Sequence, residues 1–207
     1  MRPLSLRLKN FKGIRDGLGL DEIFVDLSEL RGLVALIGTN GAGKTTFLNS
    51  LHPFRVMPSK SGDTYSPDPH YNEVYGKAEK ELVFEMGGTR YRSLIVVDAD
   101  RAASEAYLFE DKNGEWEPIN RSGRVSTYDA AIEELCGSPR LYFNSIFRCQ
   151  NAKRLDTYRK GIVKDILAEL LLLDDIQRKG KKAKKVVDAL VGMVSELQAQ
   201  IQILTTQ

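Results

Sequence analysis

Nine consecutive residues, Gly38-Thr39-Asn40-Gly41-Ala42-Gly43-Lys44-Thr45-Thr46, constrain the fold of this chain more than any other stretch. Gly38, Gly43, Lys44 and Thr45 satisfy G-x-x-x-x-G-K-[ST], the pattern of a phosphate-binding loop. Such a loop needs a strand before it and a helix after it. The apolar run Leu33-Val34-Ala35-Leu36-Ile37 predicts a buried parallel strand upstream. Downstream, Thr46 to Leu51 predicts the start of a helix with Phe47, Leu48 and Leu51 on its inner face. Glycines let successive backbone N–H groups turn inward around phosphate oxygens, and a helix N-terminus favours the same anion. In that chemistry Lys44 neutralises the β- and γ-phosphates and the Thr45 hydroxyl ligates Mg²⁺. The expectation is an α/β chain that binds a nucleoside triphosphate.

The chain has 207 residues, enough for one full domain and an extension. Its formal net charge of +2 says nothing about partners, so local clusters have to carry that question. Cys136 and Cys149 lack CxxC spacing, and with only His52 and His70 beside them the reading is two free thiols in a reducing cytosol. The N-terminus alternates apolar and basic residues and offers no signal-peptide core; no apolar run reaches the length of a membrane span. A soluble, cytoplasmic protein is expected.

Along the chain, Leu4, Leu6 and Leu8 alternate with Ser5, Arg7 and Lys9 as a half-exposed strand. Gly13, Gly17 and Gly19 predict a Gly-rich turn, and Ile23 to Leu27 a second strand. Pro53 to Tyr75, rich in Pro, Ser, Asp and Gly, predicts a long surface loop. From about 79 to 120, strand-like runs broken by Gly87-Gly88 and Asp111-Lys112-Asn113-Gly114 predict an antiparallel meander. A helix is expected from Thr127, with Tyr128, Ala131, Ile132 and Leu135 on one face and Gly137 as its stop. From Tyr158 onward helix formers dominate without proline. Ala183, Val187, Leu190, Val194, Leu197, Ile201 and Leu204 alternate steps of four and three, the seam of an emerging coiled coil.

A phosphate loop calls for a carboxylate at the end of a neighbouring strand. Leu94-Ile95-Val96-Val97-Asp98 superficially fits, but its turn signals place it inside the meander, so it is read as an antiparallel strand ending in a polar turn. The catalytic carboxylate is therefore missing from this chain. Gln150 closes an apolar-aromatic stretch from Leu141; a glutamine there can place its oxygen on Mg²⁺ or on an attacking water, though one glutamine alone says little. Arg178, Lys179, Lys181, Lys182, Lys184 and Lys185 crowd the root of the presumed coiled coil. That run reads equally as a solvated helix surface or as a contact for a phosphate backbone.

Taken together, these features resemble the N-terminal part of an SbcC-type DNA-repair ATPase, within the ABC-type, SMC-like ATPases. Leu6 to Ile14 resembles the opening strand with its Asn-Phe-basic motif, and Asn40 to Thr46 the ABC form of the phosphate loop. Phe143 to Gln150 resembles the Q-loop, and a coiled coil follows where that group inserts its arm. The resemblance implies a P-loop NTPase lobe I of a head domain at 1–157, with an antiparallel β-meander, and a helix leading into the arm at 158–207. It implies that Thr39, Asn40, Gly41, Ala42, Gly43, Lys44, Thr45 and Thr46 hold ATP, with Lys12 and Arg15 beside the nucleotide. Lys44 and Gln150 would act in catalysis, and Thr45 and Gln150 would hold Mg²⁺. Gly13 and the long loop from Pro53 depart from common forms of the group. The missing carboxylate, signature motif and switch histidine would lie in a C-terminal lobe, so the chain reads as half a head, truncated or split. The implied partners are that lobe, a second protomer sandwiching ATP, an SbcD-type nuclease and double-stranded DNA, with no membrane.

Other SMC-like or RecF-like ATPases share most of these features. An ABC transporter subunit shares the loop, but would place its glutamine much closer than the roughly one hundred residues between Lys44 and Gln150. A non-hydrolysing coiled-coil tether is the reading from a different class.

Overall fold

The computed structural model describes residues 1–58, 65–66, 73–148, 155–171 and 173–205. The chain divides into two compact units, Met1–Arg154 and Leu155–Gln207. The first is built on a six-stranded antiparallel sheet. Its strands are β1 (Arg2–Phe11), β2 (Glu22–Asp26), β5 (Val74–Met86), β6 (Thr89–Asp98), β7 (Ala103–Lys112) and β8 (Glu115–Pro118), in the order β2-β1-β5-β6-β7-β8. The short strands β3 (Met57–Pro58) and β4 (Tyr65–Ser66) pair with each other.

Turn chemistry sets the register of the meander. Gly87 and Gly88 both take positive φ, 61° and 83°, so Met86 pairs directly with Thr89 across a two-residue turn. Asn113 and Gly114, at 59° and 93°, do the same between Lys112 and Glu115. The meander begins earlier than its sequence signal, because β5 starts at Val74, whose partner on β1 is Phe11. Alternation then sorts the faces: Ala78, Leu82 and Phe84 of β5, Ile95 and Val97 of β6, and Ala106 and Leu108 of β7 point inward.

Helices cover that inner face. Helix α3 (Val125–Cys136) buries Tyr128, Ile132 and Cys136, and α4 (Pro139–Ser145) buries Tyr142 and Phe143. Ser138 caps α4 by accepting from the Leu141 N–H at 3.1 Å. The Tyr128 hydroxyl bonds to Ser93 Oγ and donates to the Pro53 carbonyl, each at 2.5 Å. Phe54 and Met57 are also in the core. The stretch after Pro53 is thus not a surface loop at its start: Arg55 makes two bonds to the Asp129 carboxylate, 2.9 and 2.6 Å, and ties it to α3. Lys80 stands on the same inward face, 1% exposed, its Nζ donating to the Phe54 carbonyl at 3.3 Å. Burial pulls that amine down from 10.5 to about 7.

The expected Gly-rich turn is instead helix α1 (Lys12–Leu18), closed by Gly19 in the left-handed region with its N–H on the Arg15 carbonyl. A larger correction concerns Leu33–Ile37, which forms no strand and is not buried: Leu33 is fully exposed and Ile37 is 90% exposed. The described sheet is antiparallel throughout and its edges are β2 and β8, so it has no parallel strand against which this run could pair.

The second unit holds a 3₁₀ turn at Leu155–Thr157, helix α5 (Lys160–Leu170) and the 33-residue α6 (Leu173–Thr205), so two helices stand where the sequence suggested a continuous one. Val187, Leu190, Val194, Leu197 and Ile201 are all exposed along α6. Among the described residues no helix is long and apolar enough to cross a membrane.

Candidate functional site

The loop of residues 38–43 leads into helix α2 (Lys44–Asn49). Two glycines make the bend: Gly41 at φ 85° and Gly43 at φ 74°, the latter serving as the N-cap. A residue with a Cβ would be strained at both positions. The loop is drawn tight by Gly43 N–H to the Gly41 carbonyl, 2.8 Å, and Ala42 N–H to the Thr39 carbonyl, 3.3 Å. Lys44 bends back across it, its Nζ donating to the Gly38 carbonyl at 2.8 Å and the Thr39 carbonyl at 2.6 Å. The ammonium is therefore held over the arc of backbone from 38 to 43. Thr45 is exposed in the first turn of α2. Phe47 anchors that turn in the core, whereas Leu48, expected inside, is 46% exposed.

What positions this loop is α1, and the sequence reading missed it. Gly13 and Gly17 lie four apart, on one face of the helix. A Cβ on Gly13 would lie 2.0 Å from Thr46 Oγ1, and one on Gly17 would lie 2.0 Å from the Gly41 carbonyl oxygen. From the other side, a Cβ on Gly43 would meet the Gly13 carbonyl at 2.7 Å. Three glycines thus let helix and loop meet backbone to backbone. The Gly-x-x-x-Gly spacing was the available signal.

Lys12 and Arg15 sit on the same helix. The Lys12 N–H donates to the Glu73 carbonyl at 2.8 Å, and Arg15 Nε pairs with Asp21 Oδ1 at 3.1 Å. Both cations lie over the Tyr75 ring, with Lys12 Nζ 5.5 Å and Arg15 Cζ 5.4 Å from its centroid. The Tyr75 hydroxyl lies 3.0 and 3.1 Å from the two Asp16 carboxylate oxygens, and that bond raises its pKa. Tyr75 and Asp16 carried no signal in the sequence beyond their residue types.

Next to the loop opens a cavity of about 610 Å³, walled by Ile14, Leu18, Ile23, Leu36, Ile37 and Phe47. Its lining is mainly apolar but takes in Glu22, Thr39 and Lys44, and of the exposed run before the loop it includes Leu36 and Ile37.

Of the remaining predicted site residues, Gln150 lies outside the described residues, as does Cys149. The α4 segment that precedes them is fixed by an aromatic cluster: Phe143 and Phe147 pack on His52 with centroids 5.0 and 5.1 Å apart, and Tyr142 on Phe54 at 4.8 Å. Lys179, Lys181, Lys182, Lys184 and Lys185 are exposed on α6; Arg178 belongs to the same helix, and its side chain lies outside the described set. Asp98 ends β6, which pairs antiparallel with both β5 and β7. It stands in a hairpin, as the turn signals indicated. Among known proteins, no family model and no curated sequence matches this chain.

Proposed function

We propose that this chain is the ATP-binding part of an SMC-like DNA-repair ATPase that dimerises on ATP, binds DNA and controls a partner nuclease during DNA end processing. One observation carries the reading: a loop with two left-handed glycines, closed over by Lys44 and braced by α1, leads directly into a helix. In this reading Thr39 to Thr46 and the Lys44 ammonium receive the phosphates once Ala42 N–H, Gly43 N–H and Lys44 Nζ exchange their carbonyl partners within the loop for phosphate oxygens, with Lys12 and Arg15 beside the nucleotide.

The exposed Thr45 hydroxyl fits a Mg²⁺ ligand beside phosphate oxygens. Among the described residues no group of three or more His, Cys, Asp or Glu side chains could hold a metal by itself, which suits an ion bound mainly through its nucleotide. Bound there, Mg²⁺ would offset charge on the transferring phosphoryl group. Gln150 is the residue proposed to orient water and metal.

A catalytic carboxylate is assigned to a C-terminal lobe. Support comes from the apolar run Leu33–Ile37 and the apolar cavity beside the loop, which together offer a pairing edge and a surface for a lobe that brings its own strands. The exposed seam of α6 supports a returning coiled-coil helix, and the exposed lysines of the same helix support contact with a DNA backbone. The nuclease partner rests on the family resemblance alone.

The test is calorimetric titration of the chain with MgATP, with Lys44→Ala as control. Saturable binding by the wild type, lost in the variant, is expected. Equal binding by both, or none by the wild type, would remove the reading at its base. Adding the complementary lobe should then produce DNA-stimulated hydrolysis that Lys44→Ala abolishes.

A further inference from the structure

We infer that Arg55 is a positioning residue for the phosphate loop: its ion pair with Asp129 fixes the far end of α2 and so sets where the loop presents its N–H groups. The assignment rests on the phosphate-loop reading above and adds to it the second of two bearings that hold the loop. Helix α2 is too short to hold its own direction. It has six residues, well under the about 12–15 at which an isolated helix persists in water. It has no side-chain cap at its N-terminus, and Phe47 is its buried residue. What grips the two ends therefore decides how it lies. At the N-terminal end the grip is the Gly13–Gly17 face of α1.

At the other end three consecutive residues are each held by a different group. Ser50, 3% exposed, closes α2 by donating from Oγ to the Thr46 carbonyl at 2.7 Å. Beyond it the Pro53 carbonyl accepts from Tyr128 of α3, and the Phe54 carbonyl accepts from Lys80 of β5. The Arg55 guanidinium donates to both Asp129 oxygens on α3 and, at 3.2 Å, to Ser104 Oγ on β7. Phe54 and Met57 seat the same segment in the core. Residues 53–57 thus strap the end of α2 to α3, β5 and β7. Tyr128 and Lys80 are fully buried, so cutting either disturbs the core itself. The Arg55 and Asp129 side chains are 13% and 38% exposed, at the margin of the core. Their two-point contact fixes direction as well as distance. Without it Phe54 stays seated, but the backbone leaving α2 gains freedom, and a shift of about 0.5–1 Å is enough to spoil phosphate recognition.

The experiment titrates the full chain with MgATP and with Mg-tripolyphosphate, in the absence of urea, with circular dichroism confirming that each variant is folded. Arg55→Ala and Asp129→Ala should each weaken both ligands by about tenfold. The double variant should also lose about tenfold rather than a hundredfold, because one contact is lost in all three proteins. Arg55→Lys, which keeps the charge without the fork, should fall between wild type and Arg55→Ala. The control is Arg90→Ala, which cuts the ion pair with Asp111 at the opposite end of β7 from Ser104 and should leave both affinities at wild-type values. A role confined to stability would lower the urea midpoint of Arg55→Ala while the folded protein bound both ligands like wild type; that result overturns the inference. Losses that multiply in the double variant, or an equal loss in Arg90→Ala, overturn it as well. Failure of the wild type to bind either ligand overturns the phosphate-loop reading itself, and the positioning role with it.

Discussion

The contact between Gly17 and the loop of residues 38–43 makes a sharp prediction, because its neighbour is backbone. In a Gly17→Ala protein the new Cβ would sit 2.0 Å from the Gly41 carbonyl oxygen, 3.0 Å from its carbon and 3.1 Å from Ala42 Cα. A carbon and a carbonyl oxygen need roughly 3.2 Å, so helix and loop must separate by about 1 Å. Overpacking of this kind costs about 1–3 kcal/mol, offset by the roughly 1 kcal/mol by which alanine outperforms glycine inside a helix. Net destabilisation of about 0–2 kcal/mol follows, measurable as a shift in urea midpoint at constant slope. The larger effect falls on ligand affinity. Phosphate recognition by backbone N–H groups tolerates displacements of only about 0.5 Å, so MgATP binding should weaken by at least about tenfold. Gly161→Ala is the control: it is helical with nothing within 4 Å of its Cβ, and should be neutral or stabilising. Gly13→Ala should fall between the two, since the atom it meets first, Thr46 Oγ1, belongs to a side chain that can rotate. A Gly17→Ala protein that melts and binds like wild type would refute the backbone brace.

Two further predictions concern other parts of the molecule. The pKa of Lys80 falls from 10.5 in the unfolded chain to about 7 in the fold, so between those values the unfolded state holds more protons and stability rises with pH. Below pH 7 the full penalty of burying the ammonium remains. Lys80→Met should therefore be more stable than wild type by up to about 5 kcal/mol at pH 6, an advantage that fades toward pH 10.5; equal stability at pH 6 would contradict it. Reversing charge at Lys181, Lys182, Lys184 and Lys185 should weaken DNA binding and flatten its dependence on log salt by up to about 3.6. Unchanged affinity and slope would return that run to plain helix surface.

The parts of the fold that local chemistry controls were legible in the sequence. Gly87-Gly88 and Asn113-Gly114 announce two-residue turns because few other pairs accept positive φ twice, and the meander follows from them. The bend at Gly41 and Gly43 is legible for the same reason. Features set by tertiary contact were not. Gly13 and Gly17 lower helix propensity and so read as a turn; the helix exists because their missing side chains admit the loop. Phe54 and Met57 lie among Pro and Ser residues that signal a loop, yet the Arg55–Asp129 pair and the Tyr128 hydroxyl hold them inside. Lys80 breaks the apolar alternation of β5 and no local rule puts it in the core. Leu33–Ile37 shows the converse failure: apolar composition predicts burial, but burial also needs a neighbouring strand.

That same run has a consequence for how the protein behaves in solution. Five apolar residues without charge or proline stand uncovered, with Gly32 and Gly38 at their ends and Arg31 as the nearest charge. Short segments of this composition, presented with unpaired backbone, recruit identical segments from other molecules and start cross-β assembly. One arginine is a thin gatekeeper against that. A partner that covered residues 33–37 would therefore also protect the chain from self-association, and for the chain by itself concentration sets how long it stays dispersed.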